Sequence, residues 1–161
     1  MTDKTMNINE TLTIAVPEGF QSMSREELKK LYQDGNPDRR GIWDKDRHVI
    51  ITVSWKQYPA LLSALADLKA VARRNQQLTE KGYSGHDYTF GGFFTVSTDS
   101  VKMEGYRFSY RLGSIQQSGE TVLMKHRRTI YSITCVGREE NADRDSKAFR
   151  EILDSVRVKG A

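Results

Sequence analysis

Alternating apolar and polar residues predict the strands of this chain. Residues 48–56 place apolar side chains on one face of the chain, at Val49, Ile51, Val53 and Trp55. This period of two residues is typical of a half-buried β-strand. The same period, bounded by Gly, Pro or polar turn residues, predicts further strands. In chain order the predicted strands are 11–16, 48–56, 88–97, 105–116, 121–126, 129–137 and a short closing strand, 156–158. A turn over 117–120 is expected to precede the strand 121–126.

Three segments show the 3.6-residue period of an amphipathic helix. The first begins at a capping box, with Ser24 at the N-cap and Glu27 at N3, and is expected to end near Gly35. The second runs from Pro59 to about residue 81, and its apolar stripe consists of Leu61, Leu65, Leu68 and Ala72. The third is expected to be capped by Asp143, and its stripe consists of Phe149, Ile152, Leu153 and Val156.

The order of these elements predicts the fold class. Consecutive strands joined by short turns form antiparallel sheets, and helices must cover at least one face of the sheet. We therefore expect an α+β layered sandwich, with a mostly antiparallel sheet of about six or seven strands flanked by three helices. Residues 1–10 are interpreted as an N-terminal extension and 11–158 as a single domain, in which 36–46 is a charged loop that holds Trp43.

Four features of this pattern resemble a known group of proteins. They are the opening strand followed by Pro17-Glu18-Gly19-Phe20, the long helix from Pro59, the strand segment 106–110, and an ending in which 129–135 leads through a polar loop to 149–158. The chain resembles the PsbP/Mog-like fold superfamily over residues 11–158, in its bacterial DcrB-like or effector-chaperone-like branch, without indicating one subfamily. By analogy, the resemblance implies a non-enzymatic binding or adaptor protein.

Composition limits the class of protein more than it indicates a function. The chain has 161 residues, 25 Lys and Arg against 21 Asp and Glu, and a formal net charge of +4, which suits one globular domain of mildly basic character. It has one cysteine, and the sequence contains no apolar run long enough to span a membrane. The N-terminus shows no apolar signal segment, so we expect a cytoplasmic protein. Whether a signal or anchor was removed from a precursor stays open.

The residues that most often carry chemistry form no recognisable motif. His48, His86 and His126 lack the spacing of metal ligands, and Cys135 lies in phase with Tyr131 on the expected inner face of its strand, where a thiol is usually inert. The interpretation is therefore a protein without catalytic residues, cofactor or metal site. A small hydrolase that uses the dispersed histidines with carboxylates is kept as an alternative.

A basic constellation is the strongest candidate for a binding surface. Arg107 and Arg111 share the polar face of one predicted strand, and Lys125 and Arg127 have the same phase on the next. Like charges side by side on a sheet repel, and an acidic partner would offset that repulsion. We predict that these four cations and Trp43 bind a protein or peptide partner.

An anion or nucleic-acid binder that uses the same basic face is the second alternative. The modest net charge and the absence of aromatic residues between the arginines on that face disfavour nucleic acid. The sequence leaves open whether the protein is a monomer or a homodimer.

Overall fold

The computed structural model of the protein describes residues 4–59 and 67–159. Within these ranges the chain forms ten strands and three α-helices, with a short 3-10 turn, Glu139–Asn141, before the last helix. The strands are β1 (Lys4–Asn7), β2 (Leu12–Val16), β3 (Gln21–Ser22), β4 (Arg39–Asp44), β5 (Val49–Gln57), β6 (Thr89–Ser97), β7 (Lys102–Leu112), β8 (Ile115–His126), β9 (Thr129–Arg138) and β10 (Arg157–Val158). The helices are α1 (Arg25–Tyr32), α2 (Leu68–Gly82) and α3 (Ala142–Ser155).

The strands form two sheets, and every pairing between them is antiparallel. Seven strands follow the order β3-β4-β5-β9-β8-β7-β6, and a smaller sheet has the order β1-β2-β10. This arrangement confirms the expected α+β sandwich with a mostly antiparallel sheet and three helices. None of the helices in the described part of the chain is long and apolar enough to cross a membrane.

Each face of the large sheet is buried by a different set of elements. On one face, α3 and the small sheet pack against the central strands, so that Phe149 and Leu12 share a core with Ile51 and Ile133. On the other face, Ala72 of α2 packs in a second core; its sheet residues are Tyr106, Phe108, Tyr110, Leu123 and Ile130. We refer to these as the α3 face and the α2 face.

The helix signals in the sequence are confirmed with small shifts at the ends. The Ser24 Oγ accepts from the Glu27 N–H at 3.1 Å, and the Glu27 Oε1 accepts from the Ser24 N–H at 2.9 Å, which completes the capping box. Helix α1 ends at Tyr32 because Gln33 adopts a left-handed conformation with φ 58°. The predicted cap Asp143 lies inside the first turn of α3, and the N-cap is Asn141.

The predicted continuous helix from Pro59 to about residue 81 is wrong at Asp67, whose backbone is extended with φ −82° and ψ 117°, so α2 begins at Leu68. Asp67 caps α2, its side chain accepting from the Lys69 N–H at 3.1 Å, and Ala72 of the predicted stripe is buried. Leu61 and Leu65 lie outside the described residues.

The predicted loop at 36–46 and the predicted turn at 117–120 are both wrong. The expected loop 36–46 contains β4, whose Gly41 and Ile42 are buried, and a Cβ at Gly41 would lie 2.8 Å from the Met23 Sδ. The expected turn at 117–120 lies inside β8, and the hairpin turns instead at Gly113, with φ 60°, and Ser114. Of the expected N-terminal extension, Lys4–Asn7 forms β1.

Candidate protein-binding surface

The register of the β7–β8 hairpin separates the four cations predicted to lie side by side. Arg107 pairs with Glu120 and Arg111 with Gln116, so these positions share the α3 face of the sheet. Lys125 is an odd number of positions beyond Glu120, so its side chain belongs to the opposite face. Arg127 lies past the end of β8 with φ 56°. The expected side-by-side arrangement is therefore wrong, because Lys125 has the opposite phase in β8 and the earlier turn pairs Arg107 and Arg111 with Glu120 and Gln116 instead.

Trp43 is distant from all of these cations in the sheet order. It lies on β4, which is separated from β7 by β5, β9 and β8. Its ring is half-buried, and the Lys45 Nζ lies 4.5 Å from the ring centroid. The five predicted partner-binding residues thus do not form one surface.

Arg107 takes part in a compact network with α3. The Glu120 carboxylate is buried, and its Oε1 accepts hydrogen bonds from the Arg107 Nε at 3.0 Å and from the Arg150 Nη2 at 3.3 Å. Its Oε2 accepts a hydrogen bond from the Ser146 hydroxyl at 3.1 Å. The guanidinium carbons of Arg107 and Arg150 lie 4.2 and 4.6 Å from the Phe94 ring centroid. Two cations thus share one carboxylate beside β6, and Asp143 and Asp145 border the same cleft as Arg107.

Two aromatic rings on β6 are exposed. Phe90 and Phe93 are 40% and 49% exposed, and their ring centroids are 4.8 Å apart. An extra residue in β6, between the pairs Phe90–Phe108 and Gly92–Arg107, makes a bulge. Because of this bulge, both rings lie on the α2 face, although residues three apart in a regular strand point to opposite faces.

A cleft of about 270 Å³ lies beside Phe93 and is bordered by α2. Lys69, Ala72 and Arg73 form its helical wall, and Thr95 and Glu104 contribute from the sheet. Glu104 is buried, accepts from the Thr95 hydroxyl at 2.8 Å and has the Lys102 Nζ at 3.8 Å.

We call Phe90, Phe93 and Thr95 of β6 together with Lys69 and Arg73 of α2 the Phe93 surface. Both of its cations are exposed, and neither forms an ion pair with another described residue. The surface therefore combines exposed aromatic area with two cations that form no ion pair among the described residues. The sequence does not indicate this surface, because the exposure of β6 depends on its place at the end of the sheet.

The three histidines are far apart in the sheet. His48 directly precedes β5, whereas His126 pairs with Thr129, which in turn pairs with Gln57 at the other end of β5, roughly 26 Å of strand away. The His86 carbonyl accepts from the Arg111 N–H at 2.7 Å, which places it beside β7, three strands from β5. Among residues 4–59 and 67–159, no group of three or more His, Cys, Asp or Glu residues has the geometry to hold a metal ion.

Cys135 is confirmed on the buried inner face of β9. Burial raises the pKa of its thiol, and the nearby carboxylates of Asp145 and Glu120 raise that pKa further. The thiolate form that a nucleophile requires is therefore strongly disfavoured.

Comparisons with solved structures agree with this architecture. The chain is similar to cyanobacterial PsbP (CyanoP) from Synechocystis sp. PCC 6803, with a TM-score of 0.65, 13% identity and coverage of 91% of this chain and 86% of that one. It is also similar to the Saccharomyces cerevisiae Ran-binding protein Mog1p, with a TM-score of 0.63, 12% identity and coverage of 98% and 96%. The chain has the PsbP/Mog-like fold.

A third structure extends the range of proteins with related architecture. LpqN, described as involved in cell envelope biogenesis of Mycobacterium tuberculosis, aligns with a TM-score of 0.54 and 9% identity over 97% of this chain and 84% of that one. No protein-family model matches the sequence, and no curated protein matches it either. At these identities the likeness establishes the PsbP/Mog-like fold and leaves function to be argued from the surface.

Proposed function

We propose that this chain is a non-catalytic binding protein of the adaptor or chaperone type, and that its partner is a protein or peptide. The observation that carries the proposal is the Phe93 surface, where two exposed phenylalanines lie beside two cations that form no ion pair within residues 4–59 and 67–159. Aromatic and arginine side chains are the residues that contribute most to protein interfaces, since they bury a large area and pair with polar groups at the rim.

The fold analogy supports a binding role. One structural neighbour is described as a Ran-binding protein, so this architecture is used for protein recognition in at least one case. The separation of the three histidines disfavours the hydrolase alternative, because catalytic groups must lie within hydrogen-bond reach of a common substrate. A cytoplasmic location stays a prediction.

The sequence-predicted residues contribute unequally to this proposal. Arg107 borders β6 through its contact with Phe94, and we propose it as part of the binding region. Arg111, Lys125, Arg127 and Trp43 stay predictions at separate positions on the molecule. The anion-binding alternative also stays open for these cations, and steeply salt-dependent retention on a polyanion resin would favour it.

Affinity capture from a native lysate tests the proposed function. The baits are the wild-type chain, Phe93→Ser and the matched control Leu78→Ser, since Leu78 is also an exposed apolar residue, at 57%, on α2. We expect one protein to be retained by the wild type and the control and to be lost with Phe93→Ser. An Arg107→Glu/Arg111→Glu bait tests the original prediction. Equal retention by all baits would contradict the assignment of the Phe93 surface.

A further inference from the structure

Strand β6 is a long strand at the edge of the seven-stranded sheet. It is the last strand of the seven-stranded order, and the described backbone hydrogen bonds include none on its outer side. Its nine residues, Thr-Phe-Gly-Gly-Phe-Phe-Thr-Val-Ser, include no charge and no proline, in a chain that is 29% charged. Soluble proteins commonly block such edges with charges, proline or short strands, because open edges recruit further strands.

The other edge of the large sheet shows the contrast. Strand β3, which ends the sheet at that side, has two residues. In β6 the bulge at Gly91 affects only the first part of the strand, and the pairing from Phe93 with Tyr106 to Ser97 with Lys102 is regular. A stretch of five regular residues is thus available for pairing on its outer side.

Positive charge borders this edge on both faces of the sheet. Lys69 and Arg73 lie on the α2 face, and the pair Arg107 and Arg150, which shares Glu120, lies on the α3 face. A strand added at the edge would direct alternate side chains to the two faces. Acidic side chains on such a strand would reach cations on either face, and an apolar side chain would meet Phe93 beside the cleft.

We infer that the outer edge of Phe93–Ser97 binds an extended, acidic segment of the partner protein as an additional strand. The inference rests on the proposed function and adds the conformation and charge of the segment. The backbone of the edge supplies the hydrogen bonds, and the Phe93 surface selects side chains, as in other cases of strand addition. A second copy of this chain is a poorer occupant, because pairing β6 with itself would bring the same cations together.

Selection from a displayed library of random nine-residue peptides provides the first part of the test, with the wild-type chain as target. We expect the selected peptides to carry net negative charge and to alternate apolar and polar residues. The affinity of a synthetic peptide with the consensus sequence is then measured for wild type and for the variant Lys69→Glu/Arg73→Glu. The variant Lys29→Glu/Lys30→Glu on α1 is the control with an equal change of charge. We expect the affinity to fall about tenfold or more in the first variant and far less in the control.

The backbone pairing is tested by N-methylating the same peptide at one amide at a time. Strand addition requires that methylation weaken binding at alternate amides only, since alternate N–H groups face the protein. In parallel, the β6 amides of the protein should become protected from hydrogen exchange when the peptide binds.

Several outcomes would overturn the inference. They are selection of basic or helical peptides, methylation effects without alternation, failure to select any peptide, or a dimer in sedimentation that Phe93→Glu converts to a monomer. Each of these would leave the proposed function to be judged by affinity capture alone, because a folded partner can still be lost with Phe93→Ser. If capture also shows no dependence on Phe93, the proposed surface fails as well.

Discussion

Asp145 is a carboxylate enclosed by the junction of α3 with the large sheet. It is 6% exposed; its Oδ1 accepts from Arg144 Nε and Nη2, each at 3.1 Å, and its Oδ2 is buried without a hydrogen-bond partner among the described residues. Oδ2 packs against Gly137, where a Cβ would not fit. Burial raises the pKa of this carboxyl group, while Arg144 opposes the shift.

The raised pKa of Asp145 predicts a pH-dependent effect of Asp145→Asn. Above the unfolded-state pKa of about 3.9, and up to the higher native pKa, the folded protein binds more protons than the unfolded chain, so the contribution of this group to stability falls as pH rises. We expect the unfolding free energy of Asp145→Asn, relative to wild type, to be higher at about pH 7 than at about pH 4.

Urea unfolding at the two pH values measures this difference. Asp143→Asn, at an exposed position in the first turn of the same helix, controls for the loss of a negative charge near the helix N-terminus. An unfolding free energy of Asp145→Asn minus that of wild type that stays constant or falls with rising pH would contradict the prediction.

At the scale of elements, the β7–β8 hairpin depends on one glycine in the middle of a strand. Gly119 pairs with Phe108, and a Cβ added at Gly119 would lie 2.5 Å from the Phe108 Cζ, so the ring occupies the space of the missing side chain. Gly119→Ala is expected to cost about 1–3 kcal/mol of unfolding free energy, because the buried ring must shift.

The matched control for this hairpin substitution is Gly82→Ala. Gly82 ends α2 and has no heavy atom within 4 Å of the added Cβ, so we expect a neutral or slightly stabilising effect there. Thermal or urea unfolding of both variants provides the comparison. Equal stability of Gly119→Ala and wild type would show that the ring adapts without cost.

Gly119 illustrates why some elements could be predicted from the sequence and others could not. The capping box at Ser24 and the alternation in β5 are local signals, and both are confirmed. The segment 117–120 competes in the sequence with Gly113-Ser114, itself a two-residue hairpin signal, and the structure places Gly119 within β8 against the distant Phe108 ring. β4 was missed for a similar reason, since the burial of Gly41 depends on Met23 and Leu28.

The candidate site was less predictable than the fold. The earlier hairpin turn pairs Arg111 with Gln116 and so moves it away from Lys125 along the hairpin, and the phase of β8 puts Lys125 on the other face of the sheet. The exposure of Phe90 and Phe93 follows from a bulge and from the position of β6 at the end of the sheet. Neither property is contained in the local sequence, because strand order is set by packing of the whole chain.

At the scale of the whole molecule, the net charge of +4 combines with cations on both sides of β6. We expect capture of the partner to weaken when the salt concentration is raised from about 0.05 M to about 0.5 M, since the interactions of exposed charges are screened over that range. The measurement is the dissociation constant across a salt series. Lys69→Glu/Arg73→Glu should reduce the slope, and a slope equal to that of wild type would argue against a contribution from these cations.

The small sheet has a consequence for the connectivity of the chain. Strands β1 and β10 flank β2, and Asn7 and Arg157 both pair with Thr13, so the two terminal strands run about 10 Å apart. Residue 159 lies beside Thr11 and residue 4 beside Val16, so these ends are about 19 Å apart and a linker of roughly eight to ten residues can join them. The exposed loop at Gly85 offers a place to open the chain. In such a circular permutant β6 would become the first strand, and a partner segment fused ahead of it would already be tethered beside the edge to which we propose it binds.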